Sequence, residues 1–187
     1  MIAIPPPLRL RLDSAALVAN WRWLAALSGP AACGAAIKAD GYGLGACEVL
    51  ALLAAAGCRD FFVAHWSEAA ALMPLPTGVA LSVLHGVGES DMVAARMLPA
   101  RPVLNSVEQV RRWREAGEGQ LCDVMVDTGM NRLGLRVEEA LGGALDGLMI
   151  ETLHSHLASA DEDSDQNARQ LAAFRTLRER IPARRYS

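Results

Sequence analysis

The chain contains almost no lysine. Its 18 lysine and arginine side chains include a single lysine, Lys38. This bias indicates a drift in codon usage under which basic surface residues become arginine. A lysine that survives such a drift is a candidate for chemistry that arginine cannot perform, because arginine stays protonated whereas a desolvated lysine can lose its proton and form a Schiff base. The alternative is that Lys38 is an accidental survivor.

The sequence also lacks the marks of several protein classes. No apolar run approaches the roughly 18 residues of a membrane span, and we expect no signal peptide because no basic stretch precedes an apolar core at the start. The net charge of −3 gives no electrostatic case for binding nucleic acid or an anionic membrane. The cysteines are scattered without a CxxC pair, which predicts reduced, buried thiols in a cytoplasmic protein and no disulfide or metal site. They are Cys33, Cys47, Cys58 and Cys122.

Short apolar segments alternate with helical patterns along the chain. This order predicts six parallel βα units after a first helix that Asp13 or Ser14 caps. The last helix is expected over about 163–180, with one apolar face that comprises Leu171, Phe174, Leu177 and Ile181. At 187 residues, six units fit a doubly wound open sheet better than an eightfold barrel, which usually needs about 250 residues.

In either architecture, ligands bind at the carboxyl ends of the parallel strands. The residues that end the predicted strands are therefore the candidates for a site. They are Lys38, His65, His85, Asn105, Asp127 with the following TGMNR, and His154 with His156.

Three motifs carry possible chemistry. In KADGYGLG, the lysine precedes glycines that let backbone N–H groups approach a phosphate, so Lys38 could bind a phosphate or carry pyridoxal phosphate, with Tyr42 on a phosphate oxygen. VDTG occurs once and within a βα pattern, which argues against an aspartic protease, while Arg132 could bind a carboxylate. HSH has a metal-ligand spacing, and the alternative that it marks a metal hydrolase stays open.

Taken in order, these motifs resemble the alanine racemase family. The resemblance lies in AAIKADGYGLG at Ala35–Gly45, VDTGMNRLG at Val126–Gly134 and SHLASADE at Ser155–Glu162. It covers nearly the whole chain. It implies a (β/α)8 TIM-type barrel that binds pyridoxal 5'-phosphate and interconverts L- and D-alanine, supplying D-alanine for the cell wall.

The resemblance also implies roles for single residues. Lys38 would form an imine with the cofactor and act as one base, and Tyr42 would hold the phosphate. His156 would lie by the pyridine ring, and Arg132 would contact the substrate carboxylate. No metal ion is implied. The family assembles as a homodimer in which a partner tyrosine is the second base.

We expect an N-terminal strand over residues 1–12 and an incomplete barrel over 13–187, with a seventh strand beginning at the final RYS. The family's last strands and C-terminal β domain would then be absent, and the 187-residue chain alone is expected to racemise poorly or not at all. Met125 stands where many members have a lysine that positions the arginine. Two alternatives remain, a broad-specificity amino-acid racemase and a non-catalytic pyridoxal phosphate-binding barrel.

Overall fold

In a computed structural model, residues 10–116 and 119–187 are described. The predicted strand over 1–12 lies mostly outside these residues, and Leu10–Leu12 do not form a strand. The first described element is helix α1, where the Asp13 carboxylate accepts a hydrogen bond from Ala16 N at 3.0 Å. The cap is therefore Asp13, one of the two residues predicted.

Helices and strands alternate as predicted. The helical segments are α1 (Ser14–Leu27), α2 (Lys38–Tyr42), α3 (Ala46–Ala56), α4 (Trp66–Ala71), α5 (Met92–Met97), α6 (Val107–Ala116), α7 (Val137–Glu139) and α8 (Asp165–Arg180). A 3₁₀ turn (Glu89–Asp91) precedes α5, and a π-helical turn (Ala140–Ala144) follows α7. The strands are β1 (Ala35–Ala36), β2 (Asp60–Val63), β3 (Ala80–Val83), β4 (Arg101–Leu104), β5 (Leu121–Asp127), β6 (Leu135–Arg136), β7 (Met149–His154) and β8 (Arg185–Tyr186).

The strands form one parallel sheet with the order β1-β2-β3-β4-β5-β7-β8, and β6 pairs only with β5. A doubly wound sheet reverses its strand order at a switch point. Here the main path follows chain order without a reversal, as in a barrel. The comparison of lengths that favoured an open doubly wound sheet was therefore wrong, and β8 begins at the predicted seventh strand.

The sheet is curled. In a flat sheet, β2 and β8 would lie five strand spacings apart, which is about 24 Å. Instead, the Arg185 guanidinium donates to both carboxylate oxygens of Asp60, at 2.6 and 2.7 Å. These side chains meet across the inside of the sheet, so the described strands form an open half-barrel.

The inward and outward faces of the strands differ in polarity. On β2, Phe61 and Val63 are fully buried in the layer between the sheet and the helices. Asp60 and Phe62 instead line the interior cavity of about 490 Å³. A fully buried carboxylate on β5, that of Asp123, accepts from Ser82 Oγ at 2.5 Å and Thr152 N at 3.1 Å inside the same half-barrel.

The ion pair between Asp60 and Arg185 predicts a pH-dependent contribution to stability. The hydrogen bond from Arg185 lowers the pKa of Asp60. The contribution is therefore present above the pKa of the unfolded chain and is lost as pH falls through the lowered pKa of the folded state. Asp60→Asn should reduce the free energy of unfolding by about 1–2 kcal/mol at pH 7, a figure discounted for the exposure of Arg185.

Urea titrations at pH 7 and near pH 3 test this prediction. We expect the difference between Asp60→Asn and the parent chain to shrink at the lower pH. Asp163→Asn is a matched control, because Asp163 is exposed. An equal loss for Asp60→Asn at both pH values would show that the ion pair is not its cause.

Two other expectations need correction. Leu177 and Ile181 of α8 are buried as predicted, but Leu171 is 48% exposed, because the neighbouring Gln170 occupies the buried position at this part of the helix. All four cysteines are free, yet only Cys58 and Cys122 are buried, and Cys47 is exposed. Burial raises the pKa of Cys58 to about 11 and that of Cys122 to about 12.

Within residues 10–116 and 119–187, no helix is both long and apolar enough to span a membrane.

Candidate active site

The carboxyl edge of the half-barrel carries the predicted site residues. Lys38 directly follows β1 and Ile37, Arg132 lies in the loop between β5 and β6, and His156 lies two residues beyond β7. Partial desolvation lowers the pKa of the His156 imidazole, although the residue is exposed overall, and the positive charges of Arg132 and Lys38 lower it further. His156 is therefore within electrostatic reach of both cations, and three loops that are distant in sequence meet here.

The segment after Lys38 is a left-handed turn. Ala39, Asp40 and Tyr42 have φ angles of 52°, 51° and 56°, and Gly41 between them has φ 64°. This conformation costs roughly 1–2 kcal/mol for each residue with a Cβ. Position 41 favours glycine, because a Cβ there would lie only 3.2 Å from Ala46 N. One of the glycines predicted to approach a phosphate therefore also has a structural role in this turn.

Two carboxylates stabilise the turn. Asp40 Oδ1 accepts from Ala46 N at 2.8 Å and so ties the turn to the start of α3. Glu68 Oε1 accepts from Ala39 N at 2.7 Å, while its Oε2 accepts from Ala64 N at 2.6 Å and His65 N at 3.2 Å. Glu68 therefore joins the residue after the lysine to the end of β2.

Glu68 was missed in the sequence. Its position in the first turn of α4 is typical of helix capping, and no local signal indicates the bond to Ala39, 29 residues away. Burial alone would raise the pKa of Glu68, but the N–H donors of Ala64, Ala39 and His65 together lower it. The anionic carboxylate is thus the form that the turn requires.

Glu68→Gln should weaken the Lys38 turn, because the amide has one acceptor oxygen in place of two. We expect a loss of about 1–2 kcal/mol in the free energy of unfolding at pH 7. The parent carboxylate stabilises the fold above its unfolded pKa and stops doing so as pH falls through its lowered folded pKa, so the difference should shrink in acid. Urea unfolding measures both effects, with Glu179→Gln at an exposed site of α8 as the control. Equal midpoints for Glu68→Gln and Glu179→Gln at pH 7 would contradict the prediction.

The loop that bears Arg132 is organised by Asp127. One carboxylate oxygen accepts from Gly129 N and Met130 N, both at 2.8 Å, and the other accepts from Arg132 N at 3.2 Å. Burial raises the pKa of Asp127, but these backbone donors outweigh it and lower the pKa. A Cβ at Gly134 would approach Asp127 N to 2.7 Å, so glycine is required where the loop returns to β6.

Four side chains at this edge have no hydrogen bond or ion pair with the described residues: Lys38, Tyr42, Arg132 and His156. Tyr42 is 64% exposed on the left-handed turn. Their backbones are fixed by Asp127, Glu68 and neighbouring groups, whereas their functional ends are available to a ligand.

The remaining strand-end candidates lie elsewhere or serve the fold. Asn105 is buried and donates to Leu84 O and Val103 O. His65 and His85 are exposed neighbours with ring centroids 5.4 Å apart. His154 is buried inside the half-barrel against Phe62, and its Nε2 has no partner among the described residues.

The HSH pair therefore does not act as a unit, because its two rings have different surroundings. Burial lowers the pKa of His154, which favours its neutral form inside the half-barrel. In the part of the chain that the structure describes, no cluster of three or more His, Cys, Asp and Glu side chains could hold a metal ion.

Comparison with known proteins identifies the family. The family described as "Alanine racemase, N-terminal domain" matches residues 12–187. The chain belongs to the alanine racemase family. The alanine racemase of Methylobacterium nodulans is 44% identical over 184 residues, which is 94% of this chain and 50% of that protein. The chain thus spans about half the length of the curated alanine racemases that it matches.

Solved structures agree with the family and the fold. Alanine racemase from Bartonella henselae, with covalently bound pyridoxal phosphate, superposes with a TM-score of 0.85 and 33% identity, over 94% of this chain and 54% of that one. Histidine racemase from Leuconostoc mesenteroides has a TM-score of 0.78 at 22% identity, over 93% of this chain and 49% of that one. The half-barrel is therefore common to racemases with different named substrates. The predicted barrel class is confirmed.

Proposed function

We propose that this chain provides the cofactor-binding half of a pyridoxal phosphate-dependent alanine racemase. The observation that carries the proposal is the position of Lys38. It is the only lysine in the sequence, it follows the first strand on a turn fixed by Glu68, and its amine has no partner among the described residues. Arg132 and His156 lie within electrostatic reach of one another beside it.

The residues at this edge fit pyridoxal phosphate by their chemistry. The amine of Lys38 can form a covalent bond with the cofactor aldehyde. The phenol of Tyr42 would donate to the phosphate, and His156, whose lowered pKa favours the neutral imidazole, would lie by the pyridine ring. When bound, the cofactor supplies an electron sink for the negative charge that develops at the substrate α-carbon.

The chain's own part in the reaction is to orient the substrate and move a proton. Arg132 would bind the alanine carboxylate through its guanidinium and so fix the direction of the Cα–H bond. Lys38 Nζ would take the α-proton or return it on one face of the substrate. Racemisation also needs a proton donor on the opposite face, which we assign to a partner subunit in a homodimer. We place the enzyme in the cytoplasm, where it would supply D-alanine.

A second candidate is a broad-specificity amino-acid racemase. It is favoured by the shared fold of the Leuconostoc mesenteroides histidine racemase, because the same half-barrel there belongs to an enzyme with a larger substrate. Arg132, which would bind the substrate carboxylate, is exposed. A non-catalytic pyridoxal phosphate carrier is less well supported, because Asp127 orders an arginine loop that a carrier would not need.

A visible-absorbance titration of the purified chain with pyridoxal phosphate, followed by a chiral assay on L-alanine and L-histidine, tests the proposal. We expect a saturable imine band together with slow or no racemisation, because the second proton donor lies outside this chain, and any D-alanine formed should exceed D-histidine. Comparable rates on both amino acids would favour the broad racemase. An imine band without any D-amino acid would agree with a cofactor-binding half that lacks the second proton donor, whereas the absence of a saturable band would overturn the proposed function.

A further inference from the structure

Two glutamines of α8 connect the loops that bear Arg132 and His156. Gln170 is 1% exposed, although it is a polar residue on a helix that covers the barrel. Its Nε2 donates to Thr128 Oγ1 at 3.1 Å and to His156 O at 3.0 Å, while its Oε1 accepts from Ala158 N at 2.9 Å. One buried amide thus bonds to the loops after β5 and β7 at once.

Both amide protons of Gln170 and one lone pair of its oxygen are used. Because the Thr128 hydroxyl accepts from Gln170, it can donate its own proton to Ser155 Oγ at 2.6 Å. The network therefore continues from α8 through Thr128 to the residue directly before His156. A buried network in which each member is satisfied fixes geometry, and loss of one member leaves buried groups without partners.

Gln166 lies one helical turn before Gln170 on the same side of α8. Its Nε2 donates to Gly129 O at 2.8 Å, and a Cβ on Gly129 would lie 3.4 Å from Gln170 Cγ. Among the described residues, the Gln166 side chain hydrogen-bonds only to the loop that leads to Arg132, whereas Gln170 hydrogen-bonds to both loops.

The helix that carries both glutamines is itself firmly anchored. Ser164 Oγ accepts from Gln166 N at 3.2 Å at its start, and Leu177 is fully buried toward its end. The two glutamines thus lie on an anchored helix and face loops whose functional side chains are exposed.

We propose that Gln170 and Gln166 are positioning residues of the active site. Gln170 sets the distance between the Arg132 loop and the His156 loop, and Gln166 sets the Arg132 loop alone. The proposal rests on the proposed function in one respect only, namely that these loops bind the substrate and the cofactor. Neither glutamine touches the reacting atoms.

The first test is hydrogen exchange measured by mass spectrometry, which does not depend on activity. Gln170→Leu should speed exchange by roughly tenfold in the peptides that contain Ala158 and Gly129–Arg132, because one lost hydrogen bond changes an opening equilibrium by about that factor. Gln166→Leu should speed it only in Gly129–Arg132. Arg169→Leu, at an exposed neighbouring position on α8, is the matched control and should change neither peptide.

The second test is ligand binding. Gln170→Leu should raise the half-saturating concentrations of pyridoxal phosphate and of alanine, both followed through the visible imine band, by about tenfold each. Gln166→Leu should raise the half-saturating concentration of alanine and leave cofactor affinity within about twofold of the parent. This separation distinguishes positioning from a general loss of stability, which would affect both glutamine variants in the same way.

Gln170→Glu is the variant to measure if Gln170→Leu does not fold, because glutamate has the same shape as glutamine. The introduced carboxylate can still accept from Ala158 N but cannot donate to His156 O. Protonation restores one donor, so the cofactor affinity of Gln170→Glu relative to the parent at the same pH should improve as pH falls.

Exchange and affinity in Gln170→Leu and Gln170→Glu that match Arg169→Leu would overturn the positioning proposal. If exchange rises in both loops but the parent chain never captures pyridoxal phosphate, the positioning result stands and the proposed function fails.

Discussion

Replacing Lys38 with arginine should abolish the covalent capture of pyridoxal phosphate without unfolding the chain. Arginine remains protonated and its guanidinium does not form a stable imine, so the chemistry is lost while the positive charge is kept. Lys38 is only partly buried, and its side chain has no hydrogen bond with the described residues. We therefore expect a change below about 0.5 kcal/mol in the free energy of unfolding.

The measurement is the visible imine band during titration with pyridoxal phosphate, which should be saturable in the parent and absent in Lys38→Arg. A chain that combines Lys38→Arg with Arg175→Lys is a sharp control. It again contains one lysine, now at an exposed position of α8, and should give no saturable band. A band of parental strength in Lys38→Arg would show that the cofactor is held elsewhere.

Asp127→Ala should have the second largest effect, because it removes the acceptor for three backbone N–H groups of the Arg132 loop. Hydrogen bonds to a charged group contribute about 1.5–3 kcal/mol each before the remaining solvent contact is considered. For this partly exposed carboxylate we expect a total loss of about 3 kcal/mol at pH 7. Alanine binding should weaken as well, because the loop no longer fixes the backbone of Arg132.

The pH dependence follows from the lowered pKa of Asp127. Its contribution is present above the unfolded pKa and is lost as pH falls through the lower folded pKa. Urea midpoints of Asp127→Ala and the parent should therefore converge near pH 3. Asp163→Ala removes an exposed carboxylate that lies outside the Arg132 loop and should change the midpoint little at either pH. A parental midpoint for Asp127→Ala at pH 7 would rule out the organising role of this carboxylate.

The strand and helix order could be predicted from the sequence because each element has a local signal. The short apolar segments gave the strands, and Gly57 ends α3 where the helical pattern stops, with φ 117°. The same reasoning placed Lys38 at the carboxyl edge of the sheet. The curling of the sheet could not be predicted in this way, because the ion pair between Asp60 and Arg185 joins residues 125 positions apart.

The residues that support the site were harder to find than the residues in it. Lys38 and Arg132 belong to motifs with unusual composition, whereas Glu68 has the pattern of a helix cap and Gln170 that of a polar helix residue. Their roles depend on contacts with loops that are distant in sequence, and the spacing of apolar residues along the chain does not indicate such contacts. The left-handed backbone of Ala39 and Asp40 runs against the preference of both residues, so tertiary contacts decide it.

The apolar face predicted for α8 shows the same limit. Helical spacing correctly placed Leu177 and Ile181 toward the sheet, but it also included Leu171, which is exposed. At the amino end of this helix the inward position belongs to Gln170. There, a polar side chain that hydrogen-bonds to two loops occupies the buried position in place of an apolar side chain.

The central claim is that Lys38 is the residue that holds the cofactor. Its most direct test is borohydride reduction of the purified chain with pyridoxal phosphate, followed by protease digestion and mass mapping of the modified peptide. We predict about one reduced cofactor per chain, located on Lys38. Modification confined to the amino terminus, or an unmodified Lys38 at saturating cofactor, would contradict the claim.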